Sequence, residues 1–456
     1  MSHPQKFHFI AIGGSVMHNL AIALHKAGHH VTGSDDDIQD PSKSELDKYK
    51  LLPESMGWFP DKLDSSYDAV ILGMHARKDN PELAKAQSLG LPVYSFPEFV
   101  YQQSKDKQRI VVCGSHGKTT ITAIIVHVLA FHNRKFDYVI GAQVEGLEDT
   151  VKLSDAPVIV IEGDEYPCSA IDPTAKFLKY KHHMAILSGI SWDHANVFPT
   201  KDDYTKQFEL LADATPKGGT LVYNSEDAIS ETIGKIERAD VQSIPYKTHS
   251  YTTENQVVYL TSTGSDRTPT QLFGKHNLQN ISAAKELLKK IGITSEQFYQ
   301  ALPGFKGAKG RLQKIFESNS TVVFKDFAHA PSKVKATVDA VKELYPSKQL
   351  TGCLELHTFS SVNKKFLPEY KDTMKGCNTA IVYFNPEVVA KKNLDPITEE
   401  DIKKAFNDSK LNVFTDSASL SDFLLSQDWA NKSLVMMSSG HFNGLDLHSL
   451  TQKISN

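Results

Sequence analysis

RIVVCGSHGKTT, residues 109–120, decides the fold. Arg109–Cys113 is a short apolar run rich in β-branched residues, the composition of a buried strand. Gly114-Ser115-His116-Gly117-Lys118-Thr119-Thr120 follows, and then an apolar stretch with helical character over Ile121–Ala130. Strand, glycine turn and helix is the context in which a nucleotide phosphate loop is expected. The glycines let the backbone fold back so that several N–H groups face one anion. The helix N-terminus adds the positive end of its dipole. Lys118 is placed to reach the terminal phosphates and the Thr119 hydroxyl to bind Mg²⁺. The usual G-x-x-x-x-G-K-[ST] spacing puts its first glycine at Val112, so G-S-H-G-K-T is a shorter form. An ordinary helix start is the plain alternative, since Gly and Thr are common there.

Working outward, the same alternation recurs. Phe7–Ile12, the turn Gly13-Gly14, helical spacing through Leu20, Ala21 and Leu24, a stop at Gly28, and Val31–Asp35 predict a βαβ unit. Asp68–Gly73, a helix over Pro81–Leu89 and a strand at Pro92–Tyr94 repeat it, and the polar run Gln102–Gln108 reads as a linker. Beyond the loop, strands are expected at Val158–Ile161, Met184–Ser188 and Thr220–Tyr223, with a helix over Ile281–Ile291. A third block from near Gly307 predicts strands at Thr321–Lys325, Leu350–Leu354, Ala380–Phe384 and Ser433–Ser438, and a helix at Lys333–Leu344. The expected fold class is α/β in three domains, residues 1–105, 106–306 and 307–456, each a mostly parallel sheet with helices on both faces. The outer two should be Rossmann-like and the middle one a P-loop ATP-binding domain.

Composition removes other classes. With 50 Lys+Arg against 54 Asp+Glu, the net charge of −4 does not suit a protein that coats nucleic acid. No run approaches the roughly 20 apolar residues of a membrane span, and no signal peptide is expected. Cys113, Cys168, Cys353 and Cys377 are far apart, which suits a reducing cytoplasm. They read as small buried residues, Trp58, Trp192 and Trp429 as packing residues, and the pairs His29-His30 and His182-His183 as surface polar groups.

Two further strand ends carry chemistry. Val158–Ile161 runs into Glu162-Gly163-Asp164-Glu165, and carboxylates at a central strand end beside a phosphate loop can hold Mg²⁺ or its waters. A solvated acidic turn is the bland alternative. Met184–Ser188 leads to Asp193-His194, and a lone histidine is more often structural than a ligand. The combination of the three is more informative than any one.

At this point the chain resembles the Mur ligase family. The matching segments are Gly114–Thr119, Glu162–Glu165, Asp193-His194, His276-Asn277-Leu278-Gln279-Asn280, Arg311 in KGRLQ, and Asp326-Phe327-Ala328-His329-Ala330-Pro331, in the family's order. The resemblance implies an ATP- and Mg²⁺-dependent cytoplasmic ligase that turns the carboxylate of UDP-N-acetylmuramate into an acyl phosphate for attack by an amine. It implies that Lys118 contacts the β/γ-phosphates, that Thr119 and Glu162 hold one Mg²⁺, and that His194 serves a second. It further places Asn277 and Asn280 by the adenine region, His276 in the same ATP site, Arg311 and Asp326 by the nucleotide, and His329 near the reacting end. Gly13, Gly14, Ser15, Val16 and Met17 would bind the UDP diphosphate, with Asp35, His75, Arg77 and Asn80 near the same ligand. Gly13-Gly14 followed by Asp35 mimics a dinucleotide fingerprint, but Ala11 and Met17 break G-x-G-x-x-G.

EGDEYPCSAIDPTAKFLKY and SSGHFNGL resemble the family branch that adds the tripeptide L-Ala-γ-D-Glu-meso-diaminopimelate; a second branch adds L-alanine. Three departures concern the family pattern: Ala11 for glycine, His329-Ala330-Pro331 for His-His-Pro, and Leu356–Ser361 where the tripeptide branch carries Arg-Ser-Asn-Thr. The last bears on the incoming amine. The resemblance implies no nucleic-acid or membrane partner and a monomer or weak homodimer. Convergence of Lys118 and Arg311 on one ATP implies that the third block closes over it. Two rivals of other classes remain: a P-loop NTPase without ligase activity, and an NAD(H)-binding sensor using the N-terminal fold.

Overall fold

A computed structural model describes residues 3–235, 238–261 and 267–454. Three separate, largely parallel sheets organise the chain. The first contains Lys6–Ile10, His30–Ser34, Ala69–Leu72 and Val93–Ser95, all parallel, with Lys6–Ile10 between His30–Ser34 and Ala69–Leu72. The second is seven-stranded and centred on Gln108–Cys113, flanked by Val158–Glu162 on one side and Met184–Leu187 on the other. The third is six-stranded; Thr321–Asp326, Lys432–Met437, Gln349–Leu356, Thr379–Phe384 and Asn412–Phe414 run parallel, and Gln313–Glu317 pairs antiparallel at one edge.

The Gln108–Cys113 strand shows why the pattern is a continuous apolar run rather than an alternation. Ile110 and Val112 join one buried cluster and Val111 and Cys113 another, so both faces are covered by helices. The Lys118–Phe131 and Lys275–Lys290 helices cover one face. The same cluster continues through Val334, Val338 and Val341 of the Pro331–Leu344 helix, so the central and C-terminal units share one apolar core.

The structure corrects the sequence reading in several places. The stretch Gln102–Gln108 is not a loose linker. A helix over Phe96–Gln102 runs into a short turn, and the Arg109 guanidinium ties that turn by donating to the Ser104, Lys105 and Lys107 carbonyls. His182 is buried, not on the surface; its Nε2 lies 2.9 Å from the Thr215 hydroxyl, and burial pushes its pKa down to about 4. The cause is its position at the entry to the buried Met184–Leu187 strand. Cys377 is half-buried where full burial was expected; the other three cysteines are buried. An antiparallel sheet of Tyr251–Glu254, Val257–Leu260 and Thr268–Thr270 is an element the apolar pattern did not announce.

Candidate active site

The phosphate-loop residues and both acidic or histidine strand ends meet because their strands are neighbours. Val112 is paired with Glu162 and Cys113 with Leu187, so three loops leave the same sheet edge side by side. Gly114 has φ +130°, and a Cβ there would lie 2.1 Å from Ser188 Oγ; glycine is the residue that fits. Gly117, at φ +81°, caps the Lys118–Phe131 helix, and a Cβ would lie 2.4 Å from Asn280 Oδ1. The first-turn N–H groups of that helix are left for a ligand, as at any helix start.

The Lys118 ammonium donates to the Gly114 carbonyl and to Glu165 Oε2, each at 2.7 Å. Glu165 is fully buried; its Oε1 accepts from the Tyr204 hydroxyl at 2.8 Å and lies 3.3 Å from His194 Nε2. Burial alone would raise the Glu165 pKa, but the Lys118 ammonium and His194 overcome it and hold the carboxyl well below the usual range. His194 has φ +58°, an unfavourable conformation for a non-glycine residue of the kind found at functional sites. Glu162 Oε1 accepts from the Thr119 hydroxyl at 2.7 Å and its Oε2 accepts from the Gly141 N–H at 2.7 Å.

The C-terminal unit closes this edge. Arg311 donates to the Thr119 hydroxyl at 3.2 Å while its guanidinium lies 4.2 Å from the Phe327 ring centroid. Asp326 Oδ1 accepts from the Leu312 N–H at 2.9 Å, and its other oxygen accepts from the Thr337 hydroxyl. Asp326 therefore shapes the turn that carries Arg311. His329 Nδ1–H donates to the Phe327 carbonyl at 2.9 Å, and its Nε2 stands 3.8 Å from Asp193 Oδ2. Burial pushes its pKa down to about 3. Between the two units lies a cavity of about 250 Å³, lined by Ser115–Thr120, Glu162, His194, His276, Asn277, Asn280, Arg311, Asp326, His329 and Lys333, among others. Asn277 and Asn280 are held in place by the Phe273 carbonyl and by each other, at 3.0 and 3.3 Å.

The residues named for a second ligand lie elsewhere, on the first sheet. Gly13 N–H donates to Asp35 Oδ2 at 2.7 Å, so Asp35 braces the glycine turn. Ser15, Val16 and Met17 open the Ser15–Lys26 helix, with Met17 buried. Chain order takes the loop after Lys6–Ile10 and the loop after Ala69–Leu72 to opposite sides, which makes a crevice at the strand ends. His75 is exposed beside that edge, Arg77 is exposed and pairs with Asp79, and the Asn80 side chain caps the Pro81–Ser88 helix.

Sequence reasoning gave no separate role to Lys333, which lines the cavity, or to Glu165, Tyr204 and Asp193, which bond or face the residues that line it. Glu165 and Asp193 stood beside residues that were singled out. Tyr204 carried no signal, because it arrives from the Lys201–Asp213 helix by tertiary packing. Lys333 did carry one: a cation in the first turn of a helix, where the dipole disfavours it.

Residues 112–288 match the Mur ligase middle domain, and residues 6–108 match the Mur ligase family, catalytic domain. The UDP-N-acetylmuramate–L-alanine ligase of Carboxydothermus hydrogenoformans is 30% identical over 412 residues, spanning 86% of this chain and 85% of that protein. The chain belongs to the Mur ligase family. It is an ATP-dependent acid–amine ligase of the kind that serves peptidoglycan precursors. Two solved structures share its architecture. The UDP-N-acetylmuramate:L-alanyl-γ-D-glutamyl-meso-diaminopimelate ligase of Neisseria meningitides superposes with TM-score 0.59 at 25% identity, covering 66% of this chain and 98% of that one. The UDP-N-acetylmuramate–alanine ligase of Thermotoga maritima gives TM-score 0.70 at 18% identity over 99% and 98% of the two chains, a likeness of fold. The α/β three-domain architecture is that of the Thermotoga maritima structure, matched end to end.

Mur ligases use ATP and Mg²⁺. The donor set suits both: hard oxygens of Thr119 and Glu162 lie 2.7 Å apart at the foot of the loop, and buried nitrogens His116 Nδ1 and His276 Nδ1 at the cavity lack a partner among the described residues. Among the described residues no helix is long and apolar enough to cross a membrane.

Proposed function

We propose that this chain joins L-Ala-γ-D-Glu-meso-diaminopimelate, through its free amino group, to UDP-N-acetylmuramate, with ATP giving ADP and phosphate. The observation that carries the ligase chemistry is the cavity itself: Lys118, Thr119, Glu162 and His194 from one unit face Arg311, His329 and Lys333 from another. In the first step a carboxylate oxygen of the muramoyl group attacks the γ-phosphorus, and the bond to the β–γ bridging oxygen breaks, releasing ADP. In the second the amine nitrogen attacks the acyl carbon, the C–O bond to phosphate breaks, and the nitrogen gives up its proton to solvent.

The protein's share of this work is positioning and charge complementarity. Lys118 contacts the β/γ-phosphates, the loop amides of Gly117–Thr120 cradle them, and Arg311 approaches from the far side. Thr119 and Glu162 would hold one Mg²⁺, and His194, beside Glu165, would serve a second. Bound there, Mg²⁺ neutralises charge on the transferred group. Asn277, Asn280 and His276 form the adenine end, and His329 lies toward the amine. Shared burial between central and C-terminal units excludes water from the acyl phosphate. On this reading residues 1–105 bind the UDP-sugar at Gly13–Met17, residues 106–306 bind ATP, and residues 307–456 receive the amine. The enzyme works in the cytoplasm as a monomer or weak homodimer.

The tripeptide assignment is supported by the segment EGDEYPC and by the ending SSGHFNGL. A second reading, addition of L-alanine, is favoured by the curated relative with that activity at 30% identity. Mass spectrometry of products from UDP-N-acetylmuramate, ATP, Mg²⁺ and a panel of amines decides. The tripeptide adduct should form fastest; faster ligation of L-alanine would reverse the assignment, and ATP hydrolysis without need of sugar or amine would remove the ligase reading.

A further inference from the structure

Lys333 stands in the first turn of the Pro331–Leu344 helix, where no acidic residue accompanies it. A lysine at that end works against the helix dipole, so local helix stability does not account for it. It lines the cavity opposite His116, Lys118 and Thr119. Among the described residues its ammonium makes no hydrogen bond; the nearest carboxylate oxygen is Asp193 Oδ2, at 3.7 Å. That oxygen belongs to the central unit, on a residue 3% exposed, and it too lacks a hydrogen-bond partner. A half-buried ammonium and a buried carboxylate thus face each other across the junction, beyond hydrogen-bond distance. The other cations are differently placed: Lys118 is bonded to Glu165 at 2.7 Å, and Arg311 is bonded to Thr119 and lies on Phe327. Of the three, Lys333 is the one whose partner is loosely held.

We propose that Lys333 is a catalytic cation supplied by the C-terminal unit, whose ammonium passes from Asp193 to the oxygens of the phosphoryl group in transit from ATP to the carboxylate. The inference rests on the ligase reading above. In that transfer the charge spreads over three equatorial oxygens while the bond to the leaving ADP oxygen breaks and the bond to the carboxylate oxygen forms. A cation fixed beside those oxygens acts most strongly where water is excluded. Asp193 is then a positioning residue that keeps the ammonium within reach. Because Lys333 arrives only with the C-terminal unit, phosphoryl transfer is tied to docking of the amine-receiving part of the enzyme.

The test uses the full chain with Lys333→Met, Lys333→Arg and, on the exposed side of the same helix, Lys335→Met as a control that leaves activity unchanged. Lys333→Met should lower kcat of ligation about 100-fold, with KM for ATP changed less than about threefold and Tm lowered, since Asp193 is left buried without its nearest cation. Lys333→Arg should recover at least a tenth of wild-type kcat. A second measurement does not require the right amine: binding of ADP with aluminium fluoride and Mg²⁺, a mimic of the phosphoryl group in transit. Lys333→Met should weaken it at least tenfold and leave ADP alone unaffected. A kcat within threefold of wild type, or equal weakening of ADP with and without fluoride, overturns the proposal. A wild-type enzyme that binds the mimic but ligates no amine would instead count against the ligase reading.

Discussion

Lys118 Nζ lies 2.7 Å from Glu165 Oε2, so the phosphate-loop lysine is paired with a buried carboxylate three residues beyond the one that faces Thr119. The pair sits in a network in which Tyr204 bonds both Glu165 and Ser115, each at 2.8 Å. Glu165 therefore holds the lysine at the loop, while Glu162 accepts from the Thr119 hydroxyl and the Gly141 N–H.

Glu165→Gln removes the full counter-charge from a mostly buried ammonium. Breaking one side of such a pair costs about 3–5 kcal/mol. Urea denaturation should show a loss in that range, and the double variant Lys118→Met/Glu165→Gln should recover much of it. A single variant as stable as wild type would mean that the pair has no energetic role.

Glu162→Gln weakens the oxygen set at the foot of the loop. The Mg²⁺ concentration for half-maximal activity should rise at least as much as the roughly 10- to 100-fold affinity losses seen for outer-shell changes. Titration with Mg²⁺ at saturating ATP reads it; an unchanged midpoint would place the cation elsewhere.

Burial pushes the His116 and His329 pKa values down to about 3, below the ordinary 6.5 of an unfolded chain. Between those values the unfolded chain takes up protons that the folded one does not, so stability falls as pH drops from about 6.5 toward 3. Tm should decline steadily from pH 7 to pH 5, and His116→Gln should flatten that slope. An identical slope in the variant would assign the acid sensitivity to other groups.

Ala11 stands where the family pattern has glycine and adopts φ +65°. Left-handed backbone costs a non-glycine residue roughly 1–2 kcal/mol, part of which glycine gives back as unfolded-state entropy. Ala11→Gly should stabilise by about 0.5–1 kcal/mol, measured as a rise in thermal midpoint; a fall would show that the methyl group's packing outweighs the strain.

Gly114→Ala meets the opposite situation, because its Cβ would lie 2.1 Å from Ser188 Oγ at φ +130°. The loop must shift, at a cost of about 2 kcal/mol or more. ATP binding by calorimetry should be lost or weakened by at least tenfold, and retained affinity would mean the loop tolerates a rearranged backbone.

The sequence by itself determined the local elements that carry the site. The apolar run 109–113, the glycines at 114 and 117 and the helix after them name a phosphate loop, because a buried parallel strand and a tight anion-facing turn each leave a composition that neighbours in sequence reveal. It also singled out Glu162 and His194 as strand ends, with no means of showing that their strands flank Gln108–Cys113. Only the tertiary structure decided that adjacency, the pairing of Lys118 with Glu165, the arrival of Tyr204, and the approach of Lys333 to Asp193 across 140 residues of chain. The physical reason is that sheet order and the docking of units are set by burial of whole faces, as in the apolar core shared by the helices 118–131, 275–290 and 331–344. No single segment records which face it will meet, whereas each records the backbone and burial it needs.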